Sequence, residues 1–258
     1  MPKVNIDGRD FEAEYEETIL QVAARNGIWI PTLCYHAALS EQASCRLCLV
    51  ELDRGGWSQL VTSCCYPVRR DIKVRVNSET AVAARRGVME LLLARCPDSP
   101  ELKELARRMG VEGTPYPKVT EAQRNCILCG LCVRVCAERI GRAAIGFAGR
   151  GVNRTVAAPF RMPSEDCIGC GACAAVCPVG TIKLRLHEKE IEVSPFKSRM
   201  PLRRCSSCGA PLSGEPHMKM LEEQAPAIAE YSRLCPACRR KKSAAAFVLP
   251  GTPPPVRR

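Results

Sequence analysis

Apolar and polar positions alternate with a period of two along residues 2–14, MPKVNIDGRDFEAE apart from its first residue, with Asp7-Gly8 at the middle. That dipeptide tolerates the positive φ angles of a tight turn, so the stretch predicts a β-hairpin. TILQVAARNG, residues 18–27, changes to helical spacing and ends on Gly27, a residue suited to the position just past a helix. LCLVEL (47–52), the turn DRGG and WSQLVT (57–62) predict a second hairpin, and DIKVRV (71–76) a short closing strand. Two hairpins, one helix and a closing strand within residues 1–78 predict a small α+β domain of β-grasp type.

The pattern then turns helical. Ser78 caps an apolar-periodic helix that runs through VMELLLAR and stops near Pro97. Ser99-Pro100 opens another, with Ser99 as N-cap and Pro100 in the first turn, ending at Gly110. Residues 79–117 therefore read as a helical linker, and VEGTPYPKVT (111–120) as loop. Two cysteine-rich runs follow within 118–190, joined by a connector, IGFAGRGVNRTVAAPF, of strand and turn character. The composition changes after Lys189, giving a separate unit over 196–245, and GTPPPVRR ends a Pro-rich tail over 246–258.

Composition sharpens this outline. The chain has 258 residues and 18 cysteines, with only 5% aromatic residues. The N-terminus shows no apolar secretory h-region, and no apolar run approaches the ~20 residues of a membrane span. Reduced thiols in a cytoplasmic protein are the expectation, and there clustered cysteines point to metal rather than disulfides. Scarce aromatics fit small domains held together by metal sites. The formal charge of +11 raises nucleic acid as a partner. Sixteen metal-bound thiolates would bring the net to roughly +3 once the metal cores are counted, so the basic excess reads as compensation for anionic clusters.

The spacing of the cysteines carries the chemistry. Cys167, Cys170, Cys173 and Cys177-Pro178 follow C-x2-C-x2-C-x3-C-P, the bacterial ferredoxin signature of a [4Fe–4S] site, and Cys126, Cys129, Cys132 and Cys136 repeat the spacing. Three closely spaced thiolates wrap one cluster, and the fourth reaches its neighbour. The expected sets are Cys126, Cys129, Cys132 and Cys177 for one cluster, and Cys167, Cys170, Cys173 and Cys136 for the other. Glycines 130, 169 and 171 let the backbone come close to the cluster sulfides. Ala137 stands where the second motif has Pro178, so the helix there is expected to differ. Zinc would need only four of these eight thiols, normally as two CxxC pairs.

Cys34, Cys45, Cys48 and Cys64 form a third set, suited to a [2Fe–2S] cluster in a β-grasp loop although the spacing is not plant-type. Cys65 competes with Cys64. Adjacent strand residues point to opposite faces, so only one of the pair can ligate, and Cys64 is favoured. Cys205-x2-Cys208 and Cys235-x2-Cys238 form a fourth set of ribbon type, for which structural zinc is expected and mononuclear iron is the alternative. His36 reads as packing beside the Cys34 loop, Cys96 as a buried small hydrophobe, and His187 and His217 as surface residues.

PTLCYHAALSEQASCRLCLVE followed by LVTSCCYPV resembles the N-terminal [2Fe–2S] domain of the largest peripheral-arm subunit of respiratory complex I. It is equally similar to the diaphorase small subunit of NAD-linked hydrogenases and the N-terminal region of [FeFe] hydrogenases. NCILCGLCVRVC and DCIGCGACAAVCPVG resemble the dicluster module of the same families, and the likeness covers residues 2–190. It implies that Cys64 is the fourth [2Fe–2S] ligand. Those relatives often carry a further His-plus-three-Cys site, but LLLARCPDSPELKELARRMG offers one cysteine and no histidine.

No P-loop and no strand–GxGxxG–helix unit offers a nucleotide site, and no Ser/His/Asp arrangement stands out. The expectation is a non-catalytic electron-relay subunit of a soluble hetero-oligomeric oxidoreductase, carrying one [2Fe–2S], two [4Fe–4S] and one zinc. The resemblance implies a flavin/NAD(P)-binding subunit on the [2Fe–2S] side and a hydrogenase, formate dehydrogenase or similar catalytic subunit beyond the dicluster. A free-standing ferredoxin-like carrier is the alternative, and a nucleic-acid-associated protein is a weaker one.

Overall fold

The structure, a computed structural model, describes residues 1–119 and 125–246. It divides into two compact units, one of residues 1–157 and 172–182, the other of residues 158–171 and 183 onward. The Pro-rich stretch beyond Ala246 lies outside the described residues.

The first unit begins with a five-stranded sheet. β1 (Lys3–Ile6) and β2 (Arg9–Glu12) pair antiparallel with Ile6 opposite Arg9, leaving a two-residue loop. Asp7 and Gly8 both adopt positive φ there, as the sequence predicts for a tight turn. Thr18 caps α1 (Ile19–Arg25) in a reciprocal capping box with Gln21, and Gly27 follows the helix at φ +72°. β3 (Leu49–Asp53), β4 (Ser58–Thr62) and β5 (Ile72–Arg75) complete the sheet in the order β2-β1-β5-β3-β4, with β1 and β5 parallel. A helix laid on a mixed sheet of this order is the β-grasp arrangement. Its core is aliphatic and closed: Val4, Ile6, Ile19, Val22, Val50, Leu52 and Val74 are almost wholly buried.

α2 (Glu79–Arg95) is capped by the Ser78 hydroxyl and α3 (Pro100–Arg108) by that of Ser99, with Pro100 in the first turn. These helices do more than span a gap. Met89 and Leu93 of α2 and Leu102 and Ala106 of α3 share one core with Cys34, Leu39, Cys45 and Leu47 of the β-grasp domain, and with Ile127, Leu131 and Val135 beyond. Cys96 is fully buried in that core, as expected of a small hydrophobe.

α4 (Leu131–Arg134) runs directly into a π-helical turn, Val135–Arg139. β6 (Gly146–Ala148) and β7 (Thr155–Ala157) pair as the connector hairpin, and α5 (Ala172–Ala175) carries the chain back. The two cysteine runs differ because Ala137 retains the N–H that Pro178 lacks. The first helix therefore continues past its fourth cysteine, whereas the second stops short of it.

The second unit contains a four-stranded antiparallel sheet, β11-β10-β9-β8, of β8 (Lys183–Leu186), β9 (Glu190–Ser194), β10 (Ser198–Arg204) and β11 (Pro211–Gly214). The sequence places a break at 190–196, but β8, β9, β10 and β11 pair in succession across it, with a register shift between Arg203 and Arg204, and Ile191, Glu192 and Val193 of β9 are all buried. α6 (Glu215–Gln224), α7 (Ala229–Ser232) and α8 (Pro236–Ala246) follow. Arg203 of β10 binds Glu215 and Glu222 of α6, and the Ser232 hydroxyl donates to the same Glu222 at 2.9 Å. Among the described residues no helix is long and apolar enough to cross a membrane.

Candidate metal centres

Cys34, Cys45, Cys48 and Cys64 are all buried in the β-grasp domain. Cys34 and Cys45 lie on the long loop between α1 and β3, Cys48 just before β3, and Cys64 just after β4. The Cys45 amide donates to Cys34 Sγ at 3.4 Å. Side-chain bonds from Cys45 and then Cys64 push the Cys34 thiol down to about 2, while their bonds to Cys34 raise Cys45 and Cys64. Cys48 falls to about 7, chiefly through its bond with Cys64. Buried thiolates in one site repel one another and lose solvation, so the four ionise together only around a cation, and an all-cysteine donor set of this kind fits an iron–sulfur cluster.

Cys65 lies beside this set, its Sγ 3.6 Å from that of Cys64, and is only partly buried. Ser63–Cys65 form a 3-10 turn rather than a strand, so face alternation does not apply. What separates the two thiols is burial, together with the bonds Cys64 makes to Cys34 and Cys48. His36 is exposed and accepts from the Ala38 amide at 3.1 Å through Nδ1, a local turn contact.

Cys126, Cys129 and Cys132 wrap the start of α4, with Gly130 between them at φ +74°. Burial pushes Cys129 up to about 11, and negative charge on Cys126 and Cys177 adds to it. Cys132 is raised by burial and by the neighbouring Cys129, Cys126, Cys177 and Cys173. Cys177 and Cys173 are thus both near the first three cysteines despite their distance in sequence. Arg95, the last residue of α2, donates to the Cys126 carbonyl at 2.5 Å, and the Thr181 hydroxyl donates to the Asn125 carbonyl. Cys136 sits in the π-helical turn, Cys173 in α5, and Cys167 and Cys170 in the loop of the second unit that precedes α5.

Within the second unit that loop is braced by residues with no sequence signal. The Ser213 hydroxyl donates to the Gly169 carbonyl at 3.2 Å and lies 2.8 Å from His217 Nδ1. A Cβ on Gly214 would lie 2.5 Å from the Ile168 carbonyl oxygen, and one on Gly169 would lie 2.3 Å from Met200 Sδ. Gly169 packs against the flexible Met200 side chain of β10 and adopts φ +68°, a backbone conformation that favours glycine. His217, expected at the surface, is half-buried, and burial lowers its pKa. His187 is exposed, 3.4 Å from Glu192.

Cys205, Cys208, Cys235 and Cys238 come together as the sequence predicts, with all four sulfurs within 4.8 Å of one another. Backbone amides converge on them: Cys235 N–H donates to Cys205 Sγ at 3.3 Å and Cys238 N–H to Cys235 Sγ at 3.4 Å. The first of these bonds leads in pushing Cys205 down to about 6. Cys208 and Cys235 sulfurs are 3.7 Å apart. Tetrahedral Zn–S bonds of about 2.3 Å put sulfurs roughly 3.8 Å apart, so the set fits zinc as it stands.

Residues 3–79 match the model of the 2Fe-2S iron-sulfur cluster binding domain, and residues 119–184 that of the 4Fe-4S dicluster domain. The chain contains a 2Fe-2S domain followed by a 4Fe-4S dicluster domain. It is 34% identical over 204 residues to the alpha subunit of NADPH-Fe(3+) oxidoreductase of Geobacter sulfurreducens, covering 70% of this chain and 24% of that protein. The mitochondrial 78 kDa subunit of NADH-ubiquinone oxidoreductase of Candida albicans is 31% identical over 70% of this chain and 28% of its own length. The 75 kDa subunit of NADH-ubiquinone oxidoreductase of Reclinomonas americana is 32% identical over 70% of this chain and 29% of its own. The chain spans about a quarter of the length of these relatives. A chain of NAD+-reducing [NiFe]-hydrogenase in the H2-reduced state superposes with a TM-score of 0.57 at 29% identity, covering 69% of this chain and 85% of that one.

Proposed function

We propose that this chain is an electron-relay subunit of a multi-subunit oxidoreductase linked to NAD(P)H. Iron–sulfur clusters supply one-electron carriers when bound. Cys34, Cys45, Cys48 and Cys64 hold one [2Fe–2S] cluster in residues 1–78. Cys126, Cys129, Cys132 and Cys177 hold one [4Fe–4S] cluster in residues 118–190, and Cys167, Cys170, Cys173 and Cys136 hold another. Cys205, Cys208, Cys235 and Cys238 hold zinc, which ties the turn after β10 to the start of α8.

The observation that carries this reading is the shared core. Cys34 and Cys45 of the first set and Cys129 of the second are buried in one apolar cluster with Met89, Leu102 and Leu131. Such a core excludes water from both sites and fixes their separation, which is what a relay asks of its protein. The relatives named above are subunits of an NADPH-Fe(3+) oxidoreductase and of NADH-ubiquinone oxidoreductases, and a chain of an NAD+-reducing hydrogenase, which supports a hetero-oligomeric setting. We propose a flavin/NAD(P)-binding subunit on the [2Fe–2S] side and a catalytic subunit of hydrogenase, formate dehydrogenase or similar type on the other.

Anaerobic purification of the tagged chain from its host, followed by metal analysis and mass spectrometry, tests the proposal. About ten iron atoms and one zinc per chain are expected, with flavin/NAD-binding and catalytic chains in stoichiometric amounts. A solitary cluster-loaded monomer that donates electrons in solution would instead make the chain a mobile carrier.

A further inference from the structure

The segment that begins the dicluster motif and the loop that carries Cys34 are clasped together within the first unit. Gln42 sits over Gly130, where an added Cβ would lie 2.3 Å from its Oε1. Arg134 Nη2 donates to the Cys34 carbonyl at 2.8 Å, and Nη1 donates to the Ser40 carbonyl. One helical turn on, the Glu138 carboxylate accepts from the Ser40 amide at 2.8 Å and from the Ser40 hydroxyl at 2.5 Å. Arg134 and Glu138 lie four residues apart and share one face. The same segment carries Cys132 and Cys136, so it contributes a thiol to each [4Fe–4S] set while hydrogen-bonding the backbone of a [2Fe–2S] ligand.

We propose that Arg134 is a positioning residue for the [2Fe–2S] site, holding the Cys34–Ser40 loop closed and favouring the reduced state, with Glu138 as its opposing charge. The proposal rests on the assignment of Cys34, Cys45, Cys48 and Cys64 to that cluster. The planar guanidinium reaches two carbonyls six residues apart at once, which a point-charge ammonium cannot match. Its bond to the Cys34 carbonyl is partly buried, where the local dielectric strengthens a charge. Reduction adds one negative charge to the site, and a fixed cation bonded to a ligand's carbonyl stabilises that form over the oxidised one. The Glu138 carboxylate, bonded by the Ser40 amide and hydroxyl, acts in the opposite sense.

The test is a dithionite titration of the full chain, prepared anaerobically and followed by the EPR signal of the reduced [2Fe–2S] cluster. Arg134→Gln is expected to keep the signal and move its midpoint to a more negative potential. Arg134→Lys, which keeps the charge but cannot hold both carbonyls, is expected to fall between the parent and the Gln variant, and Glu138→Gln to move in the positive direction. An unmoved midpoint in Arg134→Gln with its signal intact overturns the proposal, as does an equal fall in the Gln and Lys variants, which would mark lost packing rather than lost charge. Should Arg134→Gln assemble no cluster, Glu138→Gln decides alone, and an unmoved midpoint there also overturns it. A parent chain with no [2Fe–2S] signal at all would sink the ligand assignment instead.

Discussion

Cys64 and Cys65 differ by one position, yet only Cys64 is buried and bonded to Cys34 and Cys48 of its set. Cys64→Ser is therefore expected to abolish the [2Fe–2S] EPR signal and Cys65→Ser to leave it unchanged. An unaltered signal in Cys64→Ser would hand the ligand role to its neighbour, whose sulfur is close enough to take it. Gly214 gives a second prediction at this scale. Its φ of −58° suits any residue, so backbone strain is not the issue. A methyl group there meets the Ile168 carbonyl in the loop between Cys167 and Cys170, and backbone cannot step aside as a side chain can. Gly214→Ala is expected to cost about 1–3 kcal/mol in denaturant unfolding and to diminish one [4Fe–4S] signal while sparing the [2Fe–2S] signal.

At the scale of elements, the local rules hold where one element settles its own ends. Thr18 and Gln21 cap α1 reciprocally, and Thr18→Ala is expected to cost about 1 kcal/mol, read as a lower thermal midpoint with cluster content intact. The helical pair α2 and α3 shows the opposite case. Their capping by Ser78 and Ser99 is legible in the sequence, but their partners are not, since periodicity names the apolar face and leaves open what covers it. Met89 is fully buried in the apolar cluster that also holds Cys34, Cys45, Cys129 and Leu131. Met89→Ala is expected to cost about 2–5 kcal/mol and to broaden the EPR signals of both clusters. A change confined to one cluster would argue against a shared core.

For the molecule as a whole, sixteen of the eighteen cysteines fall in four sets, and metal-bound thiolates at each would offset much of the formal charge of +11. With thiolates bound, the formal +11 falls close to neutrality, so binding to nucleic acid driven by net charge is not expected. The C-terminal set stands apart in compactness: its four sulfurs lie within 4.8 Å of one another, close enough to converge on a single metal ion. Treatment with a strong chelator is expected to remove one zinc and leave iron content unchanged, with loss of helical signal from the α6–α8 region. Zinc retention should fall as pH is lowered, because protonation of the thiolates competes with the metal. Iron leaving together with zinc at the same chelator concentration would count against a separate site.

Cysteine spacing determined much by itself. Motifs such as CILCGLC and CIGCGAC follow from how thiolates at short intervals wrap one cluster, a constraint local to the chain, and the turn at Asp7-Gly8 and the caps at Thr18, Ser78 and Ser99 are equally local. Tertiary structure decided the rest, because the contacts join residues far apart in sequence: Met89 and Leu131 in one core, Gly214 against Ile168, the sheet running through residues 183–214, and Arg134 on the Cys34 carbonyl. An arginine on a helix or a glycine after a strand carries no mark of its partner. Only folding brings the partner within reach.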